Sequence, residues 1–421
     1  MKTRSIFVTS GLMCWLMVCV AQGQTFKVIH EFNRANGAYP QANLIQDSNG
    51  NLYGTASYGG VTNYYGDVFL LAPSGKETVL HSFAGSDGAV PYFGSLIRDA
   101  GGNMYGTTSS GGDLMCQASG SKGCGAVFKL APDGKETVLY SFVGGRGGYV
   151  PFRGLLLDAK GILYGTTSVG GTYDQGGTVF SVDSITGKHT VLYNFNGPPD
   201  GQYPEAGLVQ DAKGNLYGTT AFGGTVNSNC GNQGCGTVFE LKPGGKGGWT
   251  ESILYSFTGG TDGYAPEQLI RDSAGNLYGT TNIGGGSSCY NGVGCGTVFK
   301  LSPGQKGGWI ETVLYKFTGF PGKDGAYPYG VLVLDSAGNL YGTTAMGGGS
   351  AACSPSGVTV GCGTVFKIDP HGKETVLHRF ALTDGANPYA GLVRDAKSGA
   401  LYGVTSSGGG PGQGVAFKLV P

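Results

Sequence analysis

Gly275-Asn276-Leu277-Tyr278-Gly279-Thr280-Thr281 is one of seven near-copies of the same phrase. Its core returns as Leu52-Tyr53-Gly54-Thr55, Met104-Tyr105-Gly106-Thr107, Leu163-Tyr164-Gly165-Thr166, Leu216-Tyr217-Gly218-Thr219, Leu340-Tyr341-Gly342-Thr343 and Leu401-Tyr402-Gly403-Val404. The seven tyrosines are spaced by 52, 59, 53, 61, 63 and 61 residues. Self-similarity at this period is the signature of a repeat architecture, and it overrides the two or three domains that 421 residues would otherwise suggest.

Reading outward from the fifth copy, residues 268–272 form a short apolar run that ends at Asp272. Ser273-Ala274-Gly275-Asn276 is a turn whose Gly and Asn tolerate positive φ. The quoted phrase is then a second strand, 296–301 a third and 311–317 a fourth, with Pro303-Gly304 breaking the chain between the last two. β-branched and aromatic runs bounded by Gly, Pro and Asn are strand signals, and no segment holds a 3.6-residue period. The expected fold is all-β: a seven-bladed β-propeller of four antiparallel strands per blade. The last repeat stops at Pro421 without a fourth strand, while residues 26–32 match 374–380 and supply a spare one. Closure of the ring by the N-terminal strand accounts for both ends and removes an exposed sheet edge.

Composition narrows the function classes. Lys plus Arg and Asp plus Glu number 27 each, so no basic face is available to gather nucleic-acid phosphates. The 83 glycines follow no Gly-X-Y period, which excludes collagen. Lys2 and Arg4, an apolar run from 6 to 20 and Ala21-Gln22-Gly23 describe a signal peptide over 1–23, with the propeller over 24–421. A lipoprotein signal using Cys19 is the alternative, although Val18 stands where a small residue is expected. No later apolar run is long enough to span a bilayer. Eight cysteines remain after Cys14 and Cys19 leave with the signal: Cys116 and Cys124, Cys230 and Cys235, Cys289 and Cys295, Cys353 and Cys362. Export, even number and local pairing favour four small-loop disulfides.

The repeating unit, with its GL(I/V)xD, GN-LYGTT, GTVFKL and ETVLYSF segments, resembles the GloVer tandem repeat of exported "choice-of-anchor" bacterial proteins. Its (I/V)xD-xxGN-(L/I)Y core is also similar to the NHL-type propeller repeat. That likeness implies that the GL(I/V)xD strand is innermost and ETVLYSF outermost. The group owes its name partly to varied C-terminal anchors. This chain ends after a strand, so a released or periplasmic form is expected. The resemblance carries no activity with it.

Candidate chemistry lies where the copies disagree. The recurring Asp-Gly pairs at 87, 200, 262, 324 and 384 read as turn chemistry, as do the aspartates that precede each hairpin. Asp47-Ser48-Asn49-Gly50-Asn51 lacks the spaced carboxylates and closing Glu of a calcium loop. His30, His81 and His378 take the place of Tyr140, Tyr193, Tyr255 and Tyr315, which reads as packing. No metal or cofactor is assigned. Residues just after a recurring proline break the symmetry instead. Glu205, Glu267 and Arg153 are the candidate charged groups, with Tyr92, Phe152, Gln268, Tyr329 and Tyr389 as candidate binding residues. Carboxylates beside flat rings suit a sugar. The expected function is therefore a monomeric, exported binding or scaffolding module, whose partner is a glycan or an envelope protein. A polysaccharide lyase or glycoside hydrolase with its site at the channel mouth is the alternative. Fold alone assigns neither.

Overall fold

The structure, a computed structural model, describes residues 24–421 except 61–64, 119–120, 174, 287–288, 290–291, 306, 320–323 and 354–360. The signal segment 1–23, with Cys14 and Cys19, lies outside the described residues.

Seven antiparallel four-stranded sheets form a β-propeller. In the fifth blade the order from the axis outward is Ile270–Arg271, Leu277–Ile283, Thr297–Pro303 and Trp309–Lys316. The innermost strand is therefore the GL(I/V)xD segment and the outermost is ETVLYSF, as the repeat resemblance implies. In the seventh blade Thr25–Glu31 pairs with Val415–Val420, from Thr25 opposite Val420 to Glu31 opposite Val415. The Phe32 N–H then donates to Gly414 O at 3.0 Å. The ring is closed by its own N-terminal strand.

Innermost strands are shorter than the sequence suggests, at two residues each. The reason lies just upstream. Tyr39, Val90, Val150, Tyr203, Ala265, Tyr327 and Asn387, the residues before the seven recurring prolines, all have φ between 52° and 59°. A left-handed residue that is not glycine is uncommon and carries strain. Here it kinks the chain beside the second strand, with which Tyr149–Pro151 and Tyr264–Pro266 still pair in the third and fifth blades, and the post-proline segment then enters the centre of the ring.

The motif tyrosine and leucine serve different neighbours because side chains alternate along a strand. Tyr217, Val238 and Phe257 of the fourth blade pack with Leu269, Leu277, Phe299 and Leu301 of the fifth. Equivalent clusters join the other blades, so the core is a ring of inter-blade clusters. The motif glycine is fixed by crowding. A Cβ on Gly279 would lie 2.7 Å from Phe299 Cζ and 3.0 Å from Leu269 Cδ2.

Two hydrogen bonds complete the unit. Asp272 Oδ2 accepts from the Tyr278 hydroxyl at 3.1 Å, while Oδ1 accepts from Asn276 N at 2.8 Å. Asp47 holds its turn in the same way, which bears out the turn reading of that stretch. The first motif threonine reaches the following blade: Thr107 Oγ1 donates to Arg153 O at 3.1 Å and Thr219 Oγ1 to Glu267 O at 3.1 Å.

Four cysteine pairs sit at disulfide distance, with Cα separations of 5.6 Å for Cys116–Cys124, 5.0 Å for Cys230–Cys235, 4.9 Å for Cys289–Cys295 and 5.2 Å for Cys353–Cys362. Among the described residues no helix is long and apolar enough to cross a membrane.

Candidate functional site

The post-proline segments of different blades meet in a cavity of about 510 Å³. It opens on the face that carries the blade-to-blade links and cysteine loops, opposite the Asp-x-x-Gly-Asn turns. Tyr92, Phe152, Arg153, Glu205, Glu267, Tyr329 and Tyr389 all line it. The threonine hydroxyls described above hold the carbonyls of Arg153 and Glu267, so the repeated motif positions residues that do not repeat.

Arg153 crosses the axis. Its Nη2 donates to Glu267 Oε2 at 2.5 Å and to Tyr329 O at 3.4 Å, linking the third blade to the fifth and sixth. Its guanidinium stacks 4.6 Å from the centre of the Phe93 ring. The side chain is 4 % exposed and that of Glu267 12 %, so this ion pair is largely out of water. Aromatic rings continue around the wall. Phe93 meets Phe152 at 5.3 Å and Tyr389 at 6.1 Å, and Tyr389 meets Tyr329 at 5.3 Å.

Glu267 is paired with the guanidinium, and Glu205 feels its charge. Burial pushes the Glu267 carboxyl up to about 7, opposed by Arg153 and reinforced by Glu205. Burial also raises Glu205, with Arg153 again opposing. Neither has the full solvation that holds an ordinary glutamate ionised. Tyr329 is pushed up to about 12 by burial, so its hydroxyl keeps its proton as a donor.

Gln268 is placed differently. It does not line the cavity; its amide lies against the fourth blade, where a Cβ on Gly207 would come within 2.9 Å of Nε2. Sequence reasoning missed Phe93, which is 5 % exposed and supports Arg153. A signal existed. Four residues separate Pro91 from Leu96, whereas three separate Pro151 from Leu155, Pro204 from Leu208 and Pro388 from Leu392. Only two separate Pro266 from Leu269. The blades that supply Phe93 and Glu267 are the ones whose spacing departs from the repeat.

The recurring Asp-Gly aspartates stay out of the cavity. Asp200, Asp262 and Asp324 accept from the outer-strand hydroxyls of Tyr193, Tyr255 and Tyr315 at 3.1, 3.1 and 2.8 Å. Asp87 and Asp384 meet His81 and His378 at 3.0 Å. Trp249 and Trp309 extend the outer hairpins opposite Pro243 and Pro303, and their rings rest near Tyr164 and Tyr217.

Comparison with known families matches the Gloeobacter/Verrucomicrobia repeat over residues 18–116, 113–350 and 226–421. The chain belongs to this repeat family. A search of curated proteins finds no match. Among solved structures, it is similar to extracellular domains of two putative hybrid two-component systems of B. thetaiotaomicron. One is 14% identical, with a TM-score of 0.52, over 93% of this chain and 41% of that one. The other is 11% identical, with a TM-score of 0.53, over 94% and 42%. PorZ, a surface component of the type-IX secretion system of Porphyromonas gingivalis, is 12% identical, with a TM-score of 0.50, over 91% and 46%. The Gloeobacter/Verrucomicrobia repeat chain spans less than half the length of these proteins, and at such identities the likeness is one of fold.

Proposed function

We propose that this repeat protein is exported, mature from about residue 24, and binds carbohydrate in the axial cavity without catalysing a reaction. The carrying observation is the wall itself: Phe152, Tyr329 and Tyr389 flank Arg153, Glu205 and Glu267 around about 510 Å³. Aromatic faces offer apolar area to the C–H face of a sugar ring, while charged groups at fixed positions pair with its hydroxyls. The four disulfides suit an oxidising compartment, either periplasmic or extracellular. The protein acts as a monomer and takes no nucleic acid. The test is a glycan array with the tag-free mature protein, followed by calorimetry. Phe152→Ala and Tyr389→Ala are expected to weaken any hit at least tenfold while leaving the melting temperature nearly unchanged. Silence across neutral and charged glycans rejects carbohydrate binding and leaves scaffolding.

A second reading is favoured by one observation, the convergence of Glu205 and Glu267 in the same cavity. Two carboxyls of which one keeps its proton form the acid–base equipment of a glycosidase. With Glu267 tied to Arg153, Glu205 is the proton donor in this reading. Reducing-end and unsaturation assays on each bound glycan decide it: turnover that Glu205→Gln abolishes establishes an enzyme, and binding without turnover rejects it.

A further inference from the structure

Away from the cavity, at the outer edge between the first and second blades, we propose a binding site for a first-row divalent cation of the zinc type, formed by His81, Asp87 and Glu136. One ligand atom from each residue lies within 4.8 Å of the others. His81 is on the outer strand of the first blade, Asp87 on the link that follows, and Glu136 on the outer strand of the second. His81 Nε2 lies 3.0 Å from Asp87 Oδ2. The other Asp87 oxygen is fixed by the Ala84 N–H at 2.8 Å, and the imidazole stands edge-on to Phe83 at 5.0 Å. These contacts aim the ligands before any ion arrives. Glu136 Oε1 is buried with no hydrogen-bond partner among the described residues, as is the equivalent oxygen of Glu77, Glu251, Glu311 and Glu374, so what sets this junction apart is the imidazole and the aspartate beside it.

Repetition supplies the argument for a site. The same three positions exist at every blade junction, and only here do they hold an imidazole and two carboxylates together. Where Tyr193, Tyr255 or Tyr315 replaces the histidine, the hydroxyl donates to the aspartate and satisfies it. Beside His30 the aspartate is replaced by Asn36. Against His378 the glutamate is replaced by Phe26, whose ring stacks on the imidazole at 3.6 Å. One neutral imidazole nitrogen and two carboxylate oxygens make a mixed set that suits zinc, with the remaining positions left to water. Calcium and magnesium prefer oxygen alone.

The repeat also provides the control. His81→Tyr installs the residue that the sister junctions use, keeping a donor for Asp87 while removing the nitrogen ligand. Tag-free mature protein, stripped with chelator and dialysed, is titrated with zinc chloride in a calorimeter, with thermal melts in parallel. The expected result is one zinc per chain and a raised melting temperature. His81→Tyr and Glu136→Gln should melt as the wild type does without zinc, yet bind it at least tenfold more weakly. The proposal is overturned if the wild type takes up no zinc, if His81→Tyr retains wild-type affinity, or if calcium or magnesium chloride stabilises as well as zinc.

Discussion

The glycine of each repeated phrase is held by a contact, not by its own conformational freedom. Gly218 would place a Cβ 2.6 Å from Phe239 Cζ, on a ring that is fully buried. Gly218→Ala is therefore expected to cost ~1–3 kcal/mol by overpacking, read from urea unfolding. Adding Phe239→Leu should return part of it, as coupled neighbours do. The threonine that follows the motif glycine on the same strand has a different consequence. Removing its hydroxyl in Thr107→Val leaves the Arg153 carbonyl without its donor. We expect a loss of ~1 kcal/mol in stability together with weaker ligand binding at the cavity, because the post-proline segment that carries Arg153 loses its anchor. Asp67 stands where other blades carry Thr178, Thr237, Thr297 and Thr364. It is 0% exposed, neither carboxyl oxygen has a partner among the described residues, and burial holds its carboxyl well above the usual range. Replacing it by the residue of its sister blades, Asp67→Thr, should stabilise the fold by ~1–3 kcal/mol, since an unsatisfied buried polar group is removed. A lower unfolding midpoint for this variant would reject that account.

At the scale of elements, the disulfides close loops of only 5 to 9 residues. Loop entropy gives such a link ~2 kcal/mol, so the double variant Cys230→Ser with Cys235→Ser should still fold, with a lower melting temperature and faster cleavage confined to 224–236. Strands and turns were legible because each is written several times: an apolar run, a turn glycine and the Leu/Met-Tyr-Gly strand recur at seven positions, with Gly-Asn in the turn at five of them, and this cannot be accidental. The closing strand was legible for the same reason, since residues 26–32 duplicate a known outer strand. The candidate site was legible only as disagreement among copies. Glu205, Glu267 and Arg153 were found that way, and the structure brings them into one cavity. Phe93 was missed because it enters through a change of spacing, not of residue type. Gln268 was misplaced because the short segment in its blade turns the next side chain back against Gly207. The pairing of outer-strand Tyr or His with the Asp-Gly aspartate was hidden for another reason. Each partner had a sufficient local explanation, and the link that follows the outer strand folds back to bring them together.

Across the whole ring, the outer edge holds acids that are poorly hydrated. Burial pushes Glu251, Glu311 and Glu374 each up to about 7, from an ordinary value of 4.5. Asp200, Asp262 and Asp324 face them and add to the effect, while Lys316 and Arg379 oppose it for the latter two glutamates. The folded ring keeps these protons where the unfolded chain has released them. It therefore binds more protons between about 4.5 and 7, and its stability falls as pH rises through that window. Melting temperature should be higher at pH 5 than at pH 8, and Glu251→Gln with Glu311→Gln should flatten the difference; an unchanged slope would show that these groups do not set it. The left-handed residues before the seven prolines have a consequence of another kind. They, with the threonine anchors that six of the blades carry, fix where a chain segment enters the centre, without regard to the side chain that follows. The ring is thus a display with seven interchangeable addresses, at 41, 92, 152, 205, 267, 329 and 389. Selectivity can be rewritten at those addresses while the propeller that presents them stays the same.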